Sequence, residues 1–156
     1  MESIFLGIDP GKTGAMGVIM YNNAAVFDFT DALFELRRLR DLKANTYAMI
    51  EKVSAMPKQG TVSTFNFGTN YGIWQGWLQA LSIPYEYVLP SVWQREMFDS
   101  QKREDTKAMS LDRARRMFPS VAHRLKRKKD DGRSDGLLIA GYCQRLCQQR
   151  GRAPDF

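Results

Sequence analysis

Short apolar runs alternate along this chain with stretches of helical period, and the rhythm predicts its elements. Residues 3–8 form an apolar run closed by Asp9, the pattern of a strand buried on both faces. Gly11 to Gly14 make a turn, 15–21 return as a second strand, and Asn22-Asn23 turn the chain into a third strand over 24–29. Apolar residues at 32, 33, 36 and 39 give 31–42 a helical period, with Thr30 or Asp31 as its cap. A fourth strand over 46–53 and a glycine-rich aromatic segment lead to a helix over 69–81 and a fifth strand over 85–89. Helices over 91–98, 105–118 and 133–148 follow, the last packing through positions 138, 139, 142, 146 and 147. The basic stretch 123–129 before it reads as an exposed loop. A three-strand meander followed by alternating helices and strands predicts an α/β fold, one mixed five-stranded sheet with helices on both faces, in a single domain over 1–156.

Composition narrows the class. The chain has 156 residues, 44% of them hydrophobic, enough for a substantial core and too apolar for disorder. Cys143 and Cys147 stand four apart on a predicted helix, and there is a single histidine. That spacing is not a disulfide framework, and one imidazole argues against thiolate–imidazole zinc. No basic region precedes the first apolar run and Asp9 interrupts it, so a secretory leader is not expected; no stretch reaches a membrane-spanning length. The expectation is a soluble intracellular protein with no membrane partner. The net charge is +6, and its distribution matters more: between Gln101 and Arg133 twelve Lys or Arg face five acids. Polyanions are natural partners for such a surface.

The acids supply the chemistry. Asp9 ends the first strand beside a glycine turn, Glu51 ends T-Y-A-M-I-E in the same way, and D-D-G-R-S-D opens the last apolar helix. A carboxylate at the end of a buried strand is costly unless it is paired or binds a cation. Asp131 and Asp135 are one helical turn apart and share a face, with Asp130 a rival for Asp131. Magnesium favours such oxygen ligands, and two ions about 3.5–4 Å apart can activate water and stabilise a phosphodiester's leaving oxygen. Taken singly, Asp9 could cap its turn, Glu51 could pair with Lys52, and Asp130 and Asp131 could simply suit a helix N-terminus. The combination carries the inference. G-I-D-P-G-K-T is not a Walker loop, because Gly7 leaves three residues before Gly-Lys where four are needed. A sugar-kinase or actin-like reading of the same turn needs a second related domain, which a chain of this length does not supply.

Three blocks, F-L-G-I-D-P-G-K-T-G at 5–14, I-E-K-V-S-A-M-P at 50–57 and D-D-G-R-S-D-G-L-L-I-A at 130–140, resemble the RuvC family of Holliday junction resolvases in the ribonuclease H-like superfamily, nearest its phage, poxvirus and organellar branches. The resemblance implies a ribonuclease H-like fold, and a catalytic, metal-binding set of Asp9, Glu51, Asp131 and Asp135, with Asp130 as a further possible ligand. Bacterial members place the last pair three apart, whereas the spacing here is four. The family's lysine before the last acids matches Lys107, which would hold the scissile phosphate or a nucleophilic water. The aromatic wedge of bacterial members has no direct counterpart at Ser54-Ala55-Met56-Pro57, so Met56-Pro57, or Phe65 and Phe67, would open the junction.

The same resemblance implies a magnesium-dependent endonuclease, with two ions per site and manganese as the alternative. It would act on four-way or branched DNA as a homodimer and leave 5'-phosphate and 3'-hydroxyl ends. Candidate DNA contacts are Lys12, Met56, Lys58, Phe65, Lys102, Arg103, Lys126, Arg127, Lys128, Lys129 and Arg133, with Arg113, Arg115, Arg116 and Arg124 as further phosphate neutralisers. The segment 65–81, with Gly72, Gly76, Trp74 and Trp77, corresponds to the family's dimer helix. The expected setting is the cytoplasm or nucleoid of a bacterial or phage-infected cell, or an organelle matrix. The alternatives are a nuclease for other branched DNA, or a noncatalytic junction-binding protein on the same fold.

Overall fold

Strand alternation decides the layering. In the computed structural model, which describes residues 3–98 and 105–151, five strands form one sheet in the order β3-β2-β1-β4-β5. β1 (Ser3–Asp9), β2 (Ala15–Met20) and β3 (Asn23–Asp28) make an antiparallel meander, while β4 (Asn45–Glu51) and β5 (Tyr85–Val88) extend the other edge in parallel with β1. Ile4, Leu6 and Ile8 of β1, with Ala48 and Ile50 of β4, point to one face. There they meet Leu36 and Leu39 of α1 (Phe29–Asp41) and Trp74 and Leu78 of α2 (Thr61–Ala80). Phe5, Tyr47 and Met49 point to the other face, against α3 (Pro90–Met97), α4 (Thr106–Met117) and α5 (Asp131–Arg150). Both faces are covered, as the unbroken apolar run of β1 predicts.

The boundaries depart from expectation where local chemistry is subtle. The hairpin turns at Tyr21-Asn22, both at positive φ, one residue before the expected Asn22-Asn23. α1 begins at Phe29 with Asp28 as its cap residue, earlier than Thr30 or Asp31. α2 starts at Thr61, eight residues before the expected start; none of its side chains before Trp74 is fully buried, so no apolar period marks that stretch in the sequence. The basic stretch is ordered as two short 3-10 turns, Pro119–Arg124 and Lys128–Asp130, pinned by buried Val121 and Leu125, with Lys126 to Lys129 exposed. Cys143 and Cys147 are both free and buried. Among the described residues, no helix is long and apolar enough to cross a membrane.

One contact sets the geometry of everything above the sheet. Gly7 and Gly17 face each other across β1 and β2, and both lie under Gly136 of α5. A Cβ on Gly7 would run into the Gly136 carbonyl and the Ala140 amide; one on Gly17 would stand 2.5 Å from Gly136 backbone. Gly132 abuts the Thr13 carbonyl in the same way. α5 therefore rests on the sheet backbone to backbone, and its first turn is held against the β1–β2 turn. Replacing Gly7 by Ala should destabilise the fold by at least about 1–3 kcal/mol, since nothing here can yield without moving the helix. Gly72→Ala, which meets open space, should be neutral or up to about 1 kcal/mol stabilising. Denaturant melts of the two variants check this; a Gly7→Ala protein as stable as wild type contradicts it.

Candidate active site

β1 and β4 run in parallel as neighbours, so their C-terminal ends deliver Asp9 and Glu51 to the same edge of the sheet. α5 begins directly above with Asp131, and Asp135 follows one turn later. The four carboxylates lie within mutual electrostatic reach: Asp135 feels Asp9, Glu51 and Asp131, and Asp9 feels Asp131 and raises Glu51. Lys107, near the start of α4, closes the group with Nζ 2.9 Å from Asp131 Oδ2. Its helix is capped by Asp105, whose side chain accepts from the Ala108 amide at 3.1 Å.

Each acid has its own fixture. Asp9 Oδ1 accepts the Gly11 amide at 2.9 Å, which folds the carboxylate back over its turn. Trp93 Nε1 donates to Glu51 Oε2 at 2.7 Å. Ser110 Oγ donates to the Asp135 carboxylate. Asp131 takes Lys107 and, at 3.4 Å, the Thr13 hydroxyl. Trp93, Ser110 and Thr13 are absent from the sequence-derived site. The one available signal was that Ser110 stands three residues after Lys107 and so shares its helix face.

Burial and crowding leave Asp9, Glu51 and Asp135 reluctant to ionise. Burial, joined by the Asp131 charge, pushes Asp9 up to about 6 against the pull of the Gly11 amide and Lys107. Burial and the Asp9 charge push Glu51 up to about 7, opposed by Trp93. Burial and Asp9 lift Asp135 well above the ordinary carboxylate range despite Ser110. The hydrogen bond and charge of Asp131 raise Lys107, which stays protonated. A cluster of oxygen donors short of positive charge, with one lysine beside it, fits a hard divalent cation. Among the described residues, no three acidic, histidine or cysteine side chains are already drawn into a ligand cage.

The remaining candidates divide sharply. Asp130 is turned away from the group: Arg127 donates to it from its guanidinium at 2.8 Å and from its amide at 2.8 Å, and Arg133 Nη1 lies 3.4 Å off. Burial pushes its carboxyl up, but the Arg127 donors and both guanidinium charges outweigh that and hold it below the usual range. Arg133 is occupied within the fold, gripping Asp28 of β3 at 2.7 and 2.6 Å. Arg115 and Arg113 likewise donate to the Leu125 and Met97 carbonyls, at 2.7 and 2.8 Å. Lys12 and Lys129 border a depression of about 320 Å³ beside Asp28, and Lys126 and Lys128 share another of about 390 Å³ with Lys107. Met56 borders a cleft that contains Asp9 and Glu51. Lys58 is exposed at positive φ, and Phe65 is 74% exposed on α2. Lys102 and Arg103 lie outside the described residues.

A raised carboxyl stabilises the fold only while protonated. That contribution is complete below the ordinary carboxylate pKa near 4 and disappears as pH rises through about 6 for Asp9 and about 7 for Glu51. In chelator at pH 8, Asp9→Asn should therefore be more stable than wild type, by about 1–3 kcal/mol. Its stability should also change less between pH 4.5 and 7.5. A thermal melt series checks both, and an Asn variant that melts at or below wild type at pH 8 contradicts the assignment.

Comparison with known proteins adds sequence and fold kinship. No protein-family model matches the chain. It is 28% identical over 106 residues to the chloroplastic Holliday junction resolvase MOC1 of Chlamydomonas reinhardtii, a match that covers 67% of this chain and 12% of that protein. Among solved structures, it superposes on T. thermophilus RuvC in complex with Holliday junction substrate with a TM-score of 0.61 at 15% identity, covering 97% of this chain and 98% of that one. A second Thermus thermophilus RuvC structure gives 0.57 at 14% identity over 96% and 98%. The chain has the RuvC fold, and about two thirds of it is similar in sequence to a short part of a chloroplastic Holliday junction resolvase.

Proposed function

We propose that this chain is a metal-dependent endonuclease that resolves four-way DNA junctions as a homodimer. The observation that carries the reading is the meeting of Asp9, Glu51, Asp131 and Asp135, from three separated segments, beside Lys107 and a basic rim. Asp9, Glu51, Asp131 and Asp135 would hold divalent cations, magnesium or manganese, two per site. Bound there, the metal supplies a water of lowered pKa and stabilisation for the leaving oxygen. Lys107, whose side chain is 74% exposed, offers its ammonium to a phosphate oxygen from the solvent side. Lys126, Lys128, Lys12 and Lys129 flank the group and would hold phosphates of the junction arms, which fixes position more than sequence. Met56 and Phe65, 68% and 74% exposed, would be apolar contacts for the unstacked bases at the crossover. Hydrolysis in this arrangement leaves a 5'-phosphate and a 3'-hydroxyl. A compartment that holds DNA, bacterial or organellar, is part of this reading.

The dimer completes it. A four-way junction has approximate two-fold symmetry, and two matched sites require a two-fold pair. Gly68, Gly72 and Gly76 recur every fourth residue on one exposed face of α2, each with open space where a Cβ would stand. A second copy laid against this face could approach closely.

Two measurements decide. Asp9→Asn should lower junction cleavage in magnesium by more than about a hundredfold while binding without metal is retained. Paired, symmetric cuts in a four-way junction and slow cutting of three-way and linear DNA are expected. Equal rates on all three would replace the resolvase with a general branched-DNA nuclease, and tight binding with no cuts in either metal would leave a junction-binding protein. Gly72→Leu should keep the protomer's melting temperature but weaken self-association by at least about tenfold in sedimentation velocity, the cost of about 1.4 kcal/mol of misfit. An unaltered dimer would remove α2 from the interface.

A further inference from the structure

The acids of this protein are held in two ways. Asp28 and Asp130 are gripped by guanidinium groups that supply the opposite charge. Asp9, Glu51 and Asp135 are each held by a neutral donor: the Gly11 amide, the Trp93 indole and the Ser110 hydroxyl. A neutral donor fixes where a carboxylate points without supplying the charge that a cation would otherwise bring.

Two of these donors are costly to arrange. Trp93 on α3 and Ser110 on α4 have no exposed surface at all. Ser110 Oγ also lies 2.9 Å from Ser134 Oγ, and Ser134 donates to the Asp131 carbonyl at 2.8 Å. The Ser110–Asp135 bond thus ties α4 to the start of α5. Lys107 and Ser110, three apart on α4, meet Asp131 and Asp135, four apart on α5, so two turns of adjacent helices are matched acid for donor. Packing alone does not require this of a buried tryptophan. Trp74 is as fully buried as Trp93, and its indole nitrogen has no partner among the described residues.

We propose that Trp93 and Ser110 are positioning residues that orient Glu51 and Asp135 for a divalent cation. This rests on the metal-nuclease reading above. The Trp93 indole occupies one oxygen of Glu51 and leaves the other without a hydrogen-bond partner among the described residues, and Ser110 sets the rotation of Asp135 at the helix start. Outer groups of this kind commonly change metal affinity or activity about 10–100-fold when removed.

The test uses Trp93→Phe, Ser110→Ala and the hydroxyl-restoring Ser110→Thr, with wild type and Asp9→Asn for reference. Manganese binding to the metal-free protein is followed by electron paramagnetic resonance, and the magnesium needed for half-maximal cleavage is measured in parallel. Trp93→Phe and Ser110→Ala should each require about 10–100-fold more metal in both assays, with metal-free junction binding unchanged and Ser110→Thr shifted back toward wild type. Folded variants with wild-type manganese affinity and magnesium dependence overturn the proposal. Should either variant fail to fold, the wild type still decides. On magnesium titration the Trp93 indole N–H resonance should shift more than those of Trp74 and Trp77, and an unmoved Trp93 resonance counts against it. Wild type that neither binds manganese nor cuts overturns the nuclease reading itself and this proposal with it.

Discussion

The seating of α5 directly on the backbone of β1 and β2 is the constraint on which the site depends. Helices usually stand off a sheet by the depth of their side chains, but here glycines on both sides remove that layer. The approach brings the first turn of α5 to the ends of β1 and β4, and Asp131 and Asp135 come within reach of Asp9 and Glu51. A helix one side-chain layer higher would leave the two pairs of acids without a common focus. The same seating presses Gly132 against Thr13, so the turn after Asp9 and the start of α5 are one rigid corner.

Charge is sorted around that corner with some economy. The Arg133–Asp28 pair straps the end of β3 to the start of α5, and Arg127 closes the 3-10 turn on Asp130. These cations stabilise the frame and leave the focal acids with Lys107 alone among the side-chain ion pairs of the described residues. Mutual repulsion among the acids is tolerated because the close packing of α5 and the strand pairing below it resist their separation. Stability and affinity are thereby set against each other, since the frame holds together groups that would relax apart in the absence of a counter-charge.

Much of this was legible in the residues themselves. An apolar strand that ends in an acid announces both the sheet and the site, because the burial that makes the strand makes the acid expensive. The meander and the last helix followed from alternation and period. The first half of α2 did not, because a helix with no buried face writes no period into its sequence. Asp130 and Asp131 differ by one residue in register, and in the fold Arg127 and Arg133 pair with Asp130 while Lys107 pairs with Asp131. Trp93 carried no signal and Ser110 only its place three residues after Lys107, because their partners lie 42 and 25 residues away in the chain. A tally of basic residues was a blunt guide as well: Arg113, Arg115 and Arg133 donate to groups within the fold, whereas Lys126 and Lys128 stand exposed.

The first half of α2 has a thermodynamic consequence of its own. A helix end without a fully buried side chain is held largely by its own hydrogen bonds, and Gly68 and Gly72 within it weaken even those. Helix that short of tertiary support sits at the low end of a protein's range of local stabilities. A partner docked on this surface would therefore also complete the element's folding, and part of the free energy of association would be used in stiffening the chain. Assembly through α2 would be felt most as slowed amide exchange along 61–73, well away from the acids it brings into register.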